Sequence, residues 1–285
     1  MIGGAASGSA ARDLTGLAET VRGLHGVRAL IEDDCDGWPF TAGGRRFTLA
    51  VANSSDLRAR AFRLAARMYR PRGYAPSGCD AVVTQPDARR DTLILLVTDD
   101  AGADVGTLTV AADAGGVPAD AIYERELAEL RSAGVRLVEF VRLAIDVPEA
   151  QQSRAVMAHL TCFTYVFAYH VLCADVVLNT VNPRHVGYYE RMLGFQQIGG
   201  ERPCTRVLGA PAVLLLVPLE YTHAQVGAFG GRFERRPDDC SLHSFFYAQE
   251  VEPIIAAFLR RRHRPMERAE AARLGLGESL AVDAA

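Results

Sequence analysis

The sequence predicts an α/β (α+β) fold in which a mixed central sheet is covered by helices. Three observations predict it. Apolar residues alternate over strand-length stretches, apolar residues recur at helical spacing between them, and Gly or Pro marks most junctions. In order these give β-α-β-β-α-β-α-β-α-β-β, for which a sheet flanked by helices is the economical solution. The 285 residues exceed one average domain, yet a single elaborated domain can use most of them.

Behind Gly43-Gly44, residues Phe47, Leu49 and Val51 alternate as in a half-buried strand. Asn53-Ser54-Ser55-Asp56 supplies capping side chains, and Leu57, Ala61, Leu64, Ala65 and Met68 follow at helical spacing. Gly73, Pro76 and Gly78 end that helix. Strands at 92–98 and 104–111 flank the turn Asp99-Asp100-Ala101-Gly102. Pro118 opens a helix running to about Arg131, and the strand 135–146 is stopped by Pro148. A long core helix covers about 152–173, and a strand follows at 175–181. Asn182-Pro183 starts a short helix that Gly194 closes. Strands near 195–198, 206–208 and 212–219 complete the order. A weak helical stretch lies at 14–30, and Val251, Ile254, Ile255, Phe258 and Leu259 mark one amphipathic helix further on. The expected organisation is an N-terminal extension 1–44, an α/β domain 45–220 and a C-terminal helical extension 221–285.

Composition excludes several function classes. The formal charge of −3 gives no basic field for nucleic acid. All 31 basic residues are arginine, so a Schiff-base lysine, a Walker A lysine and a pyridoxal-phosphate anchor are impossible. Six cysteines without a CxxC pair read as reduced thiols in a cytoplasm. The first residues carry neither the basic nor the apolar region of a signal peptide. The apolar run 155–178 includes His159, Tyr165, Tyr169, His170 and Asp175, which suits a core helix and strand better than a membrane span. No metal site is expected: His170 and Cys173 sit one turn apart without further ligands nearby in sequence. The run Arg260–Arg264 is read as a solvated helix end, with an acidic carrier protein or peripheral anionic lipid as its alternative contacts.

The run Val181-Asn-Pro-Arg-His-Val-Gly-Tyr-Tyr-Glu-Arg-Met-Leu-Gly-Phe195 resembles the strand-to-helix segment of GNAT acyltransferases, which carry Asn, a Tyr seven residues on, then Gly-Phe. Asn182, Tyr189 and Gly194-Phe195 are the matching residues, and Asn-Pro-Arg-His with Leu-Gly-Phe is most similar to FeeM-type N-acyl amino acid synthases. Val138–Asp146 resembles the fourth strand of the same enzymes and the Glu-x-x-Arg segment of acyl-homoserine lactone synthases. Over residues 46–220 the resemblance implies a GNAT-like, mostly antiparallel sheet with splayed central strands. It implies an N-acyltransferase that moves a long-chain fatty acyl group from an acyl carrier protein thioester to the amine of an amino acid. It implies no permanently bound cofactor, with acyl-phosphopantetheine or acyl-CoA as the co-substrate. The alternatives are an acyl-CoA-dependent N-acetyltransferase and a non-catalytic acyl-binding module on the same fold.

One departure bears on the donor. GNAT enzymes cradle the coenzyme A pyrophosphate in a Gly-rich loop at the central helix. Here Gln151-Gln152-Ser153-Arg154-Ala155-Val156 contains no glycine, which favours the single phosphate of a carrier protein. Arg154 is the expected phosphate or carrier contact.

Acyl transfer to an amine needs a base for the ammonium proton and a proton donor for the departing thiolate. Glu139 is the expected base, directly or through water; its alternative is pairing with an arginine across the sheet. Tyr189 is the expected acid, with Tyr188 its competitor and plain packing the alternative. Arg142 is assigned to the acceptor carboxylate. Glu139 and Arg142 are three apart, so only a β-bulge between them brings both to one cleft. Leu143, Ile145 and Asn182 complete the expected substrate contacts. Phe163 and Phe167, with Tyr165, either line an apolar acyl pocket or belong to the core.

Overall fold

A computed structural model describes residues 37–233 and 241–276. The helical stretch expected at 14–30 lies outside them. Eight strands form one sheet: β1 (Trp38–Ala42), β2 (Arg45–Val51), β3 (Leu93–Asp99), β4 (Asp104–Ala112), β5 (Leu137–Ile145), β6 (Val176–Val181), β7 (Gln196–Cys204) and β8 (Ala210–Pro218). Their order is β1-β2-β3-β4-β5-β6-β8-β7. Only β5 and β6 are parallel; the other neighbours are antiparallel. The helices are α1 (Ser55–Tyr69), α2 (Asp120–Ser132), α3 (Ala150–Val166), α4 (Val186–Leu193), α5 (Leu219–Phe229), α6 (Glu252–Arg262) and α7 (Arg268–Arg273). None of the described helices is long and apolar enough to cross a membrane.

Helix α1 starts where expected, with Ser54 Oγ accepting from the Leu57 amide at 3.3 Å. Helices α1 and α2 pack on one face of the sheet through Phe62 and Leu64, and through Tyr123 and Leu127. Helix α3 packs on the other face and is buried from Val156 to Val166, as a central helix must be. It approaches β4 closely because Gly106 has no side chain; a Cβ there would meet Val156 Cγ1 at 2.6 Å. Its final turn is a π-helix at Phe167–Val171 rather than the continuous α-helix expected to 173.

The expected boundaries at 44 and 220 both cut connected structure. Gly43 and Gly44, at φ 54° and 74°, form the two-residue turn of a β1–β2 hairpin, so residues 38–42 belong to the sheet. Trp38 is 1% exposed and meets Phe163 of α3 and Phe258 of α6 edge-on, at 5.1 and 5.5 Å. Arg58 of α1 pairs with Glu270 of α7 at 2.6 Å. The described part of 221–285 therefore shares the core of the α/β domain. The strand expected at 206–208 is a 3₁₀ turn, Thr205–Val207, in the β7–β8 hairpin. β7 runs instead to Cys204; as a polar edge strand it lacks the apolar alternation that betrays strands in sequence.

His159 shows what this core demands of a polar ring. It stacks on Phe40 at 3.8 Å, donates from Nδ1 to Ala155 O and meets the Tyr247 hydroxyl at 3.1 Å. Burial pushes its pKa down to about 4. The unfolded chain, titrating near the ordinary value of 6.5, then binds a proton that the folded chain refuses. Stability should fall as pH drops from about 6.5 to 4, by about 3 kcal/mol at roughly 1.4 kcal/mol per pH unit. Denaturant titration across that window checks it, with a shallower slope for His159→Leu.

Candidate active site

β5 and β6 pair over only four residues, from Leu137↔Val176 to Phe140↔Asn179. Beyond that pair β5 continues to Ile145 and β6 to Val181 without partnering each other, so the central strands splay as expected. A cavity of about 810 Å³ occupies the wedge, lined by residues 140–145 on one side and 179–182 on the other. That volume suits an organic substrate.

Register shifts opposite β5: Thr109 faces Val141, whereas Thr107 faces Ala144. One residue of β4 thus opposes Arg142 and Leu143 together, and Arg142 adopts φ 55°. This is the bulge on which the pairing of Glu139 with Arg142 depends. It turns Arg142 to the α1/α2 face of the sheet, where Glu139 also lies, and sends Leu143 and Ile145 to the α3 face. The cavity consequently has two kinds of wall. Phe140, Leu143, Ile145, Met157 and Phe245 make an apolar one on the α3 side. Tyr69, Thr84, Arg142, Thr180 and Arg206 bring polar groups from the opposite face.

Glu139 does not line the cavity and is wholly buried. Its carboxylate accepts from the Ala119 amide at 2.6 Å, from Thr180 Oγ1 at 2.9 Å and from Arg206 at 3.2 Å. Two of those donors, Thr180 and Arg206, do line it. Glu139 sits directly behind the wall, one hydroxyl away from the cavity.

Arg142 is held differently from the expectation. Its guanidinium pairs with Asp87, at 2.8 Å for one contact, and donates to Thr84 and Thr109 at 3.1 Å each. It also lies over the Phe62 ring at 5.4 Å. Both partners are buried, Asp87 to 1% side-chain exposure. The fork assigned to an acceptor carboxylate is thus engaged by a carboxylate of the chain itself. It anchors the loop at 84–88 to the bulge.

Phe163 and Phe167 stand behind the cavity, not in its wall. Phe163 packs against Trp38 and Phe258, Phe167 against His263, and the Tyr165 hydroxyl donates to Glu252 at 2.9 Å. A helix buried on all sides offers no polar face from which its orientation could be read.

Tyr189 and Tyr188 both line the cavity. Tyr189 is 9% exposed, and burial pushes its phenol up, opposed by a hydrogen bond with Asn179. Tyr188 is more open, and burial raises its phenol as well. Asn182 caps the turn before α4: Oδ1 accepts from the Arg184 amide and Nδ2 donates to Pro211 O, both at 3.2 Å. Arg154 lines the cavity with its guanidinium 5.8 Å from the Phe245 ring centre. Sequence reasoning passed over Thr180, Arg206 and His185. The last lines the cavity with a pKa lowered by burial and by Arg184 and Arg72. His185 stood within the Asn-Pro-Arg-His run, whereas Thr180 and Arg206 carried no local signal.

The start of α3 explains the missing glycines. Glu149 caps it, its carboxylate accepting from the amides of Gln151 at 3.0 Å and Gln152 at 2.6 Å. These amides hold Glu149 below the usual carboxylate range. An anion-binding helix start is here satisfied by the chain's own carboxylate.

Comparison with known proteins places this geometry. A solved N-acyl amino acid synthase, FeeM from uncultured soil microbes, is 27% identical with a TM-score of 0.55, covering 62% of this chain and 92% of that one. The acyl-homoserine lactone synthase LasI is 14% identical, with a TM-score of 0.47 over 62% of this chain and 91% of its own. A spermidine N-acetyltransferase from Vibrio cholerae is 15% identical, with a TM-score of 0.39 over 61% and 94%. No curated protein sequence matches the chain. The family model for the N-acyl amino acid synthase FeeM matches residues 60–218, more than half of the sequence and both splayed strands. The chain therefore belongs to the FeeM family of N-acyl amino acid synthases, and is an acyltransferase.

Proposed function

We propose that the protein transfers a long-chain fatty acyl group from an acyl carrier protein thioester to the amine of an amino acid. The observation that carries this reading is the two-walled cavity through the splayed strands. An acyl chain suits the wall of Phe140, Leu143, Ile145 and Met157, and a zwitterion suits the face that presents Thr180 and Arg206. Arg206 and Arg72, which both line the cavity, supply the positive charge for the acceptor carboxylate in place of Arg142.

Glu139 acts through Thr180. The acceptor ammonium gives a proton to Thr180 Oγ1 as the threonine hydroxyl proton passes to Glu139, leaving the amine lone pair free to attack the thioester carbon. The tetrahedral intermediate then expels the thiolate, which takes its proton from Tyr189 or Tyr188 at the cavity wall, and the phenolate so formed takes the second proton from the acylated nitrogen, leaving a neutral amide and a neutral phenol. Burial keeps both phenols protonated until that step.

The Glu149 cap supports the carrier protein as donor, since a coenzyme A pyrophosphate would compete with that carboxylate for the same amides. Purified protein given equal concentrations of palmitoyl carrier protein and palmitoyl-CoA, with the standard amino acids, tests this. The expected kcat/KM favours the carrier by about tenfold or more, the weight of one charge-assisted contact. Glu149→Ala should narrow the gap by improving use of the coenzyme A thioester. A wild-type preference for coenzyme A would contradict the assignment.

A further inference from the structure

At the C-terminal end of α3, three side chains from distant parts of the sequence converge. His170 comes from the π-helical turn, His223 from α5 and Glu252 from the first turn of α6. One ligating atom of each lies within 4.8 Å of the other two. None of the three lines the cavity. We propose that they form a binding site for a single divalent first-row transition metal ion, zinc by preference.

Glu252 is the buried member of the cluster. Its side chain is only 2% exposed, so its charge needs a partner. Among the described residues no arginine pairs with it. His170 Nε2 lies at 2.6 Å, His223 Nδ1 at 3.6 Å, and the Tyr165 hydroxyl donates at 2.9 Å. Two imidazoles and one carboxylate make a donor set that suits zinc, which leaves a fourth position for water. Zinc with ligands at about 2.0–2.1 Å needs neighbouring donors about 3.3 Å apart. The His223–Glu252 pair already has that spacing within a few tenths of an ångström, and His170, 30% exposed, opens to it by turning outward.

The surrounding groups orient the donors as an outer shell does. Tyr165 holds the second carboxylate oxygen of Glu252 and lies 2.8 Å from His223 Nδ1. Tyr169 stacks on the His223 ring at 4.7 Å, and Gln249 donates to the His223 carbonyl at 2.8 Å. The π-helical turn inserts one residue at this point in α3, a distortion that recurs where a side chain must be aimed. Both imidazoles are partly exposed, which gives an ion a way in. Ligands so far apart in sequence leave no spacing motif, so the expectation of no metal near His170 had nothing local to read. The site ties α3, α5 and α6 together and is independent of the acyl-transfer reading.

The test uses full-length protein freed of metal by a chelator and titrated with zinc chloride by calorimetry, with cobalt(II) absorption as a second readout. One zinc per chain is expected, with a rise in Tm and a cobalt spectrum of low coordination number. His223→Ala and His170→Ala should keep the wild-type circular dichroism but lose at least tenfold in zinc affinity and abolish that spectrum. Binding of less than about a tenth of an equivalent by folded wild type, or equal affinity in both variants, would overturn the proposal. Glu252→Gln adds a third arm, expected to bind zinc weakly, and unchanged binding there counts against the site.

Discussion

Replacing Asp87 with alanine lowers the folding free energy by about 3–5 kcal/mol, the cost of leaving a buried charge without its partner. The expectation follows from where Arg142 is placed. Its backbone sits at φ 55° in the bulge, and its guanidinium is 5% exposed against an Asp87 side chain at 1%. Without Asp87, the neutral hydroxyls of Thr84 and Thr109 remain as hydrogen-bond partners for that charge. Asp87 also closes the turn at 84–88 by accepting from the Thr84 amide at 2.6 Å, so the loop loosens with it. Urea titration measures the loss. Glu124→Ala, on the exposed face of α2, should stay within about 0.5 kcal/mol of wild type. A loss below about 1 kcal/mol for Asp87→Ala would mean that Arg142 finds another partner and the bulge is not held by this pair.

Thr180→Val should lower kcat/KM by about a hundredfold, within the range that positioned proton transfer contributes. Glu139→Gln should do about the same, and the double variant should be little worse than either, because both cut one proton route. Valine matches threonine in shape, so a loss there is not a packing effect. Glu139→Gln disturbs three hydrogen bonds and needs its fold checked by circular dichroism. A base at His185 instead would leave Thr180→Val active and show its loss in His185→Ala, with a pH profile falling only below the ordinary imidazole range. Additive losses at Thr180 and Glu139 would also contradict a shared route.

The fold was legible where one-sided burial runs over a long enough stretch. Phe47, Leu49 and Val51 alternate because β2 has one covered face, and Leu57 to Met68 keep helical spacing because α1 does too. β1 escaped notice and β7 was read only over its first residues, for different reasons. The five residues of β1 are too short a stretch for alternation to stand out, and β7 is an edge strand built of Gln, Gly, Glu and Arg. The residue pairs of the site were only half legible. Glu139 and Arg142 could be named from their segment, but the partners that decide their roles, Asp87, Thr180 and Arg206, come from other loops and strands. The two phenylalanines of α3 went to the core because periodicity cannot orient a helix that is apolar all round. Glu149 gave the reverse lesson. The missing glycines were visible in sequence, while the side chain that fills their role became apparent only with the capped helix start.

The proposed reaction joins a fatty acid to an amino acid through the splayed site. Mass spectrometry of lipids from cells producing the wild-type chain or Thr180→Val tests it most directly. Wild type should accumulate species whose masses equal a long-chain fatty acid plus an amino acid less one water, and the variant, present at equal soluble amount, should lose them. Absence of any such species above the background of empty cells, with the protein folded and abundant, or their equal abundance in both, would contradict it.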